Sequence, residues 1–199
     1  LWFGASPEPL LHVSGNTAST VSLAGTRGFL SYSDELSWNN KERQEQLIVT
    51  DYIEQVLNKF GVWNYSITGP QTYKAGSVEH LKTEFNFAID DLGSRIFEFI
   101  DELHPTPSVC GLPKALALEY IKQTEMHSRE YYTGFLGPVN FQGELSLFVN
   151  LRCLKAEKEN LVYYLGAGIT AGSDPEKEWE ETESKKNTLQ VIVQQLNSI

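Results

Sequence analysis

The segment Gly166–Lys185 reads G-A-G-I-T-A-G-S-D-P-E-K-E-W-E-E-T-E-S-K, and the rest of the chain can be organised around it. Its glycine-rich part ends at Ser173 and Asp174, and Pro175 follows. Ser or Asp before Pro is typical of a helix start, because the side-chain oxygen can accept from an orphan amide and proline suits the first turn. The pattern therefore predicts a helix from this point to about Leu196.

Three charged residues of this predicted helix share one face, since residues three or four positions apart are neighbours on a helix surface. They are Glu178, Glu181 and Lys185. Two carboxylates and an ammonium beside glycine-rich backbone suit a hard divalent cation that holds an anionic ligand. The alternative is a solvated acidic helix after a turn, because the same spacing is common on surface helices.

A second acidic pair has the same spacing near the start of another predicted helix, from about Asn40 to Phe60. Glu42 and Glu45 lie in its first turns, and Gly61 is expected to end it. The apolar stripe at helical spacing is Leu47, Ile48, Tyr52, Ile53, Val56 and Leu57.

Composition restricts the class of protein. The chain has 199 residues, of which 41% are hydrophobic, so a sizeable core is expected and disorder is not. A formal net charge of -10 disfavours a nucleic-acid partner, but a bound metal and local cations can still attract a small anion. Cys110 and Cys153 resemble buried thiols of a reduced compartment, and no apolar run is long enough to cross a membrane. The interpretation is a cytoplasmic protein with no membrane partner.

The first 33 residues have the pattern of β-structure, with turns at Ser6-Pro7 and Gly15-Asn16. Leu1-Trp2-Phe3 begins the chain on apolar residues, which suggests entry in mid-strand with further sequence upstream. A sheet that buries Trp2 and Phe3 without its upstream partners would expose apolar surface, so self-association of this chain alone is expected.

The middle and end of the chain predict further helices and strands. Helices are expected from Asp90 through Leu103 and from Pro113 onward. The strand candidates are Tyr131–Gly137, Leu145–Leu154 and Leu161–Leu165, with hairpin turns at Gln142-Gly143 and Glu159-Asn160.

Two basic or titratable residues have two interpretations each. Arg152 closes an apolar run, so it is either a strand-end surface residue or an inward clamp whose fork matches a carboxylate. His104 precedes a proline, and it is either a satisfied loop histidine or a functional donor.

Seven segments of the chain form a recognisable set when they are taken in order: Phe3–Glu8, Leu23–Arg27, Lys41–Glu45, His104–Gly111, Leu151–Cys153, Gly166–Ile169 and Glu178–Thr182. In this order they resemble a known family, the chorismate-binding enzymes, which comprise isochorismate, anthranilate, aminodeoxychorismate and salicylate synthases. The resemblance runs from Leu1 to about Leu196. It implies an α+β fold of antiparallel sheets flanked by helices, incomplete at its N-terminus. Residues 1–199 would be the C-terminal portion of a single catalytic domain, a monomer when complete, acting on chorismate with Mg²⁺.

The resemblance also implies residue roles. Glu8 is similar to the general acid that protonates the departing hydroxyl. The metal residues would be Glu45 and Glu181 as direct ligands, with Glu42 and Glu178 holding metal-bound waters. The residues that would contact substrate are Gly25, Thr26, His104, Tyr132, Arg152, Gly166, Ala167, Gly168 and Lys185, of which Arg152 and Tyr132 hold the pyruvyl carboxylate.

The subgroup is indicated by two segments, His104–Pro107 and Leu23–Thr26, which resemble the isochorismate and salicylate branch. The implied activity is isochorismate synthesis for menaquinone or siderophore formation. The alternatives are a salicylate-forming or amine-transferring synthase, or a non-catalytic relative, which the joint presence of the charged residues disfavours. The family's water-activating lysine would lie upstream of the G-A-S-P-E motif, so this chain alone is expected to be inactive.

Overall fold

A computed structural model describes residues 1–4, 8–28, 38–75 and 78–196 of the chain. These residues form two antiparallel sheets with helices packed beside them, which confirms the predicted α+β class. The Ser6-Pro7 turn predicted from the sequence lies outside the described residues.

The larger sheet contains the two strands on either side of the predicted Gly15-Asn16 turn. Its strand over Val78–Ala88 mostly alternates buried and half-buried side chains, because successive side chains of a strand point to opposite faces. Among the described residues its strand order is β4 (Tyr65–Ala75), β5 (Val78–Ala88), β3 (Thr17–Gly28), β2 (Pro9–Ser14), β8 (Glu144–Val149) and β6 (Phe135–Leu136), with β7 (Val139–Phe141) also paired to β8.

The smaller sheet is built from segments distant in sequence. Its described strands are β1 (Trp2–Gly4), β9 (Cys153–Ala156) and β10 (Leu161–Tyr164), with β9 in the middle. Trp2 lies opposite Lys155 on β9, and its ring packs against Tyr131 and Tyr164. Phe3 differs from the expectation, because 52% of its surface is exposed on this sheet.

The prediction of one continuous strand over Leu145–Leu154 was wrong. The chain leaves β8 after Val149, and β9 begins in the other sheet at Cys153. Arg152 between them has a φ of 43°, in the left-handed region that an extended strand excludes. The apolar run therefore contributes one strand to each sheet, and Arg152 lies in the link where the chain passes from the larger sheet to the smaller one.

Helix α1 (Asn40–Lys59) begins where the sequence predicts. The side chain of Asn39 accepts hydrogen bonds from the amides of Lys41 and Glu42, and this cap satisfies two of the donors that a helix start leaves unpaired. The predicted stripe needs correction, because Leu47 and Ile48 are 56% and 41% exposed. The buried face of α1 instead consists of Gln46, Val49, Tyr52, Ile53, Val56 and Leu57.

The remaining described helices are α2 (Ile96–Leu103), α3 (Pro107–Cys110), α4 (Lys114–Thr124) and α5 (Pro175–Leu196). The helix predicted to start at Asp90 is interrupted: a short 3₁₀ turn over Ile89–Leu92 ends at Gly93, whose φ of 57° is left-handed. Of the described residues 131–137, only Phe135 and Leu136 form a strand, since Thr133 also has a left-handed φ of 64°.

None of the described helices is both long and apolar enough to cross a membrane.

The side-chain amide of Gln46 forms hydrogen bonds between α1 and the larger sheet. Its Oε1 accepts from the backbone N–H of Ala24 at 3.0 Å, and its Nε2 donates to the carbonyl of Ser22 at 3.1 Å and to Thr83 Oγ1 at 3.0 Å. Only 3% of Gln46 is exposed, so these polar groups have little water available as an alternative partner. The sequence analysis placed no residue in this role.

We expect Gln46→Met to lower the free energy of unfolding by about 3 kcal/mol, because the partners of the lost amide stay buried without hydrogen bonds. Equilibrium denaturation in urea measures this change. The matched control is Gln44→Met, two positions earlier on the same helix, where the side chain is exposed. Equal stability of the two variants would contradict the proposed importance of the Gln46 amide.

Candidate active site

The two acidic pairs converge where the N-terminal turns of α1 and α5 meet. The ammonium of Lys41 forms ion pairs with Glu45 Oε1 at 3.6 Å and with Glu178 Oε1, although Lys41 and Glu178 are 137 positions apart. Burial raises the pKa of Glu45; the negative charges of Glu181, Glu178 and Glu42 raise it further, against the opposing charge of Lys41. The structure thus brings the four predicted carboxylates into one electrostatic cluster.

Two oxygens of this acidic cluster have no hydrogen-bond partner among the described residues. They are Glu42 Oε2 and Glu178 Oε2, and Glu178 is only 4% exposed. A buried carboxylate oxygen without a partner is costly, whereas a hard cation with oxygen ligands such as Mg²⁺ would satisfy it. The donor set therefore fits Mg²⁺.

The cluster is not a finished coordination sphere. The described residues contain no group of three or more His, Cys, Asp or Glu side chains already gathered around one metal position. The ammonium of Lys41 lies among the carboxylates instead and neutralises part of their charge. A divalent ion would have to compete with this ammonium for Glu45 and Glu178.

Gly25 allows α1 to approach strand β3. The strand bulges between Ala24 and Thr26, where Gly25 has a φ of 71°. A Cβ atom at this position would lie 2.8 Å from the Cβ of Glu42, which is shorter than any van der Waals contact. The glycine therefore places the start of α1, with its acidic pair, directly beside the bulge.

Glu8 is a buried carboxyl group beside the start of α3. It is 5% exposed, and the hydroxyl of Ser108 at the start of α3 hydrogen-bonds to it. Burial raises its pKa to about 7, although the Ser108 hydrogen bond and the charges of Arg152 and Lys185 oppose this shift. A carboxyl group with this pKa is partly protonated at neutral pH, as a general acid requires.

Arg152 points inward, which supports the clamp interpretation over the surface one. Its Nη2 lies 3.0 Å from His80 Nε2. Burial lowers its pKa, while the charges of Glu181 and Glu8 raise it. The guanidinium thus lies within electrostatic reach of both the candidate acid and the acidic cluster.

The glycine-rich loop lies between Tyr132 and α5. Lys185 Nζ donates to the carbonyl of Gly166 at 2.8 Å and pairs with Glu181 at 2.7 Å. A Cβ atom on Gly166 would lie 2.6 Å from Tyr132 Oη, so a larger residue would displace the tyrosine. Ala167 is half-buried, and Gly168 faces Glu45 Oε1, which would lie 3.9 Å from an added Cβ. The loop therefore connects the candidate substrate clamp to the acidic cluster.

His104 makes contacts of a structural kind. Its Nε2 donates to the carbonyl of Thr133 at 2.8 Å, and its ring packs edge-on against Phe135. Its own carbonyl accepts from Lys114 Nζ at 2.9 Å. These contacts hold the loop before α3, and contact with a substrate stays a prediction.

The family model described as chorismate binding enzyme matches residues 1–196. The chain belongs to the chorismate-binding enzyme family. It is 33% identical over 193 residues to isochorismate synthase DhbC of Bacillus subtilis, covering 94% of this chain and 48% of that protein. It is 29% identical over 193 residues to the vibriobactin-specific isochorismate synthase of Vibrio cholerae, covering 94% of this chain and 49% of that protein.

A solved structure agrees with this family assignment. The menaquinone-specific isochorismate synthase MenF of Escherichia coli superposes with a TM-score of 0.80 at 29% identity, covering 95% of this chain and 45% of MenF. This chain spans about half the length of the curated relatives it matches.

The sequence analysis missed two residues of the candidate site in this member of the chorismate-binding enzyme family. His80 lies beside Arg152, and Lys41 lies in the acidic cluster. A signal for His80 existed, because it occupies a buried position in the alternation of β5, where a polar side chain needs a partner. No comparable signal marked Lys41, since a lysine in the first turn of a helix usually faces water.

The raised pKa of Glu8 predicts that the free energy of unfolding of this protein depends on pH. Its folded pKa of about 7 exceeds the ordinary 4.5, so the folded protein binds this proton more tightly than the unfolded chain. The contribution of Glu8 is therefore fully present below pH 4.5 and is lost as pH rises through 7. We expect Glu8→Gln to gain stability relative to wild type between about pH 5 and about pH 8.

The urea concentration at the midpoint of unfolding, measured for Glu8→Gln and for wild type at each pH of this range, gives the difference in stability. The matched control is Glu159→Gln in the exposed β9–β10 turn, which should keep the wild-type pH dependence. Parallel pH profiles for Glu8→Gln and wild type would show that the Glu8 carboxyl titrates normally.

Proposed function

We propose that this chain carries the metal, substrate and acid residues of an isochorismate synthase that converts chorismate to isochorismate with Mg²⁺. The observation that carries the proposal is the buried Glu8 carboxyl, with its pKa near 7, within electrostatic reach of Arg152 and Lys185. A proton donor beside cationic carboxylate clamps suits the departure of a hydroxyl group from a dicarboxylate. The relatives named as isochorismate synthases support the same assignment.

Chorismate carries one carboxylate on its ring and one on its pyruvyl arm. The fork of Arg152 suits the pyruvyl carboxylate, because a guanidinium can donate two parallel hydrogen bonds. Tyr132 lies beside the glycine-rich loop, where its hydroxyl can join this contact. The backbone amides of residues 166–168 add donors at the same place.

The acidic cluster is the proposed place of Mg²⁺. When bound, the ion would neutralise the carboxylates and hold the ring carboxylate of the substrate. Glu45 and Glu181 would be its protein ligands, with Glu42 and Glu178 binding its waters, and the unpartnered oxygens of Glu42 and Glu178 suit that outer role.

The reaction moves the hydroxyl position from one ring carbon to another. A water molecule adds at one ring carbon, and the hydroxyl on another ring carbon leaves. Glu8 in its acid form gives its proton to the departing hydroxyl, which leaves as water, and a base accepts a proton from the attacking water. Water is thus consumed and released once. The base is assigned, on the resemblance alone, to a lysine upstream of this segment.

The product would serve siderophore or menaquinone formation, because one relative is named for a siderophore and another for menaquinone. A salicylate-forming or amine-transferring reaction is the alternative, and product identity distinguishes it.

The test is incubation with chorismate and Mg²⁺, followed by chromatographic separation of the product. It uses the protein with the upstream sequence that the resemblance implies. We expect isochorismate, and we expect Glu181→Gln to abolish both turnover and the rise in melting temperature on adding Mg²⁺, because an anionic ligand is lost.

The matched control is Glu180→Gln, the exposed neighbour on α5, which should behave as wild type. Normal Mg²⁺ activation of Glu181→Gln would contradict the metal assignment. Salicylate or anthranilate as the product would replace the proposed reaction with the alternative.

Arg152→Lys keeps the positive charge and loses the planar fork. We expect the affinity for chorismate to fall by about 2 kcal/mol, because a lysine cannot hold a carboxylate with two parallel hydrogen bonds. The measurement is KM, with Arg95→Lys as control, since Arg95 contacts Phe60 just beyond the far end of α1. An unchanged KM would place Arg152 outside the substrate site.

A further inference from the structure

His80 lies between the bulge of β3 and the side chain of Arg152. It belongs to β5, and only 6% of its surface is exposed. Its Nδ1 lies 3.0 Å from the carbonyl oxygen of Gly25, and its Nε2 lies 3.0 Å from Arg152 Nη2. Thr26 Oγ1 is also near, at 3.3 Å from Nδ1. Both ring nitrogens therefore have a protein partner.

The two partners fix the protonation state of the ring independently. A guanidinium can only donate, so His80 Nε2 must accept and carries no hydrogen. A carbonyl can only accept, so His80 Nδ1 must carry the hydrogen that it donates to Gly25. Both requirements select the neutral Nδ1–H tautomer. Burial and the charges of Arg152 and Lys185 act in the same direction, since they lower the pKa of His80 to about 4.

Arg152 needs an external support for its side chain. It lies in the short link between β8 and β9, with a left-handed φ of 43°. An arginine side chain has many rotamers, and binding a carboxylate requires that most of them be given up. A partner that already hydrogen-bonds to one guanidinium nitrogen reduces the conformational entropy lost on binding. The other N–H groups of the five-donor guanidinium can still bind a ligand.

We infer that His80 is a positioning residue: as a neutral acceptor it holds the guanidinium of Arg152 for a substrate carboxylate, and it ties that guanidinium to the Gly25 bulge. Because the bulge also contacts Glu42, the clamp and the acidic cluster keep a fixed separation. The choice of chorismate as the ligand rests on the proposed function, whereas the His80 geometry does not.

Two substitutions of His80 distinguish the hydrogen bond made by Nδ1 from the one made by Nε2. The amide nitrogen of His80→Asn can replace Nδ1 and donate to Gly25, but nothing then accepts from Arg152. The amide oxygen of His80→Gln can reach the Nε2 position and accept from Arg152. In the protein with the upstream sequence, we expect His80→Asn to raise KM for chorismate about tenfold with a much smaller change in kcat, because a hydrogen bond that orients the binding group is lost.

His80→Gln should restore most of the wild-type KM. The control is His127→Asn, since His127 is a mostly exposed histidine, and its KM should not change. A wild-type KM in His80→Asn would overturn the inference. Equal losses of kcat and melting temperature in the Asn and Gln variants would also overturn it, because they would indicate a purely structural histidine.

Nitrogen NMR of the imidazole tests the geometry without substrate. At neutral pH the signals that disappear in His80→Gln should show the neutral Nδ1–H tautomer. An imidazolium or an Nε2–H tautomer would overturn the inference whether or not chorismate is the substrate. If wild type makes no isochorismate while the tautomer is as expected, the proposed function fails and the positioning of Arg152 stands.

Discussion

Helix α1 lies so close to strand β3 that position 25 has no room for a side chain. A Cβ there would lie 2.8 Å from Glu42, and the buried amide of Gln46 holds the same two elements together one turn further along. This contact determines where the carboxylates of α1 are presented. It also directs the carbonyl of Gly25 toward His80, so the acidic cluster and Arg152 both depend on one close approach.

Burial gives the site its electrostatic character. Water would stabilise separated charges, but Glu8 is removed from water, which raises its pKa to about 7 in spite of the nearby Arg152. The same burial leaves oxygens of Glu42 and Glu178 without partners among the described residues. Such groups reduce stability, since each would be better hydrated in the unfolded chain. Groups of this kind are therefore expected at a functional site.

Much of the fold could be predicted because its signals are local. The start of α1 near Asn40, the helix start at Pro175 and the hairpin turns depend on residues that are neighbours in sequence. The prediction over Leu145–Leu154 failed because an apolar run cannot show which of two sheets will bury each half. The stripe of α1 was misplaced at Leu47 and Ile48 because the sheet buries a polar residue, Gln46, in their stead.

The sequence by itself determined the family, through the resemblance of its segments, and it indicated the acidic pairs and Arg152 as a candidate clamp through residue type and spacing. Only the tertiary structure decided that Arg152 points inward, that Lys41 lies among the carboxylates, and that His80 lies beside the guanidinium of Arg152. These depend on contacts between residues far apart in the chain. A bulge and a chain crossing fix such contacts, and neither has a local signal, although the alternation of β5 does indicate that His80 is buried.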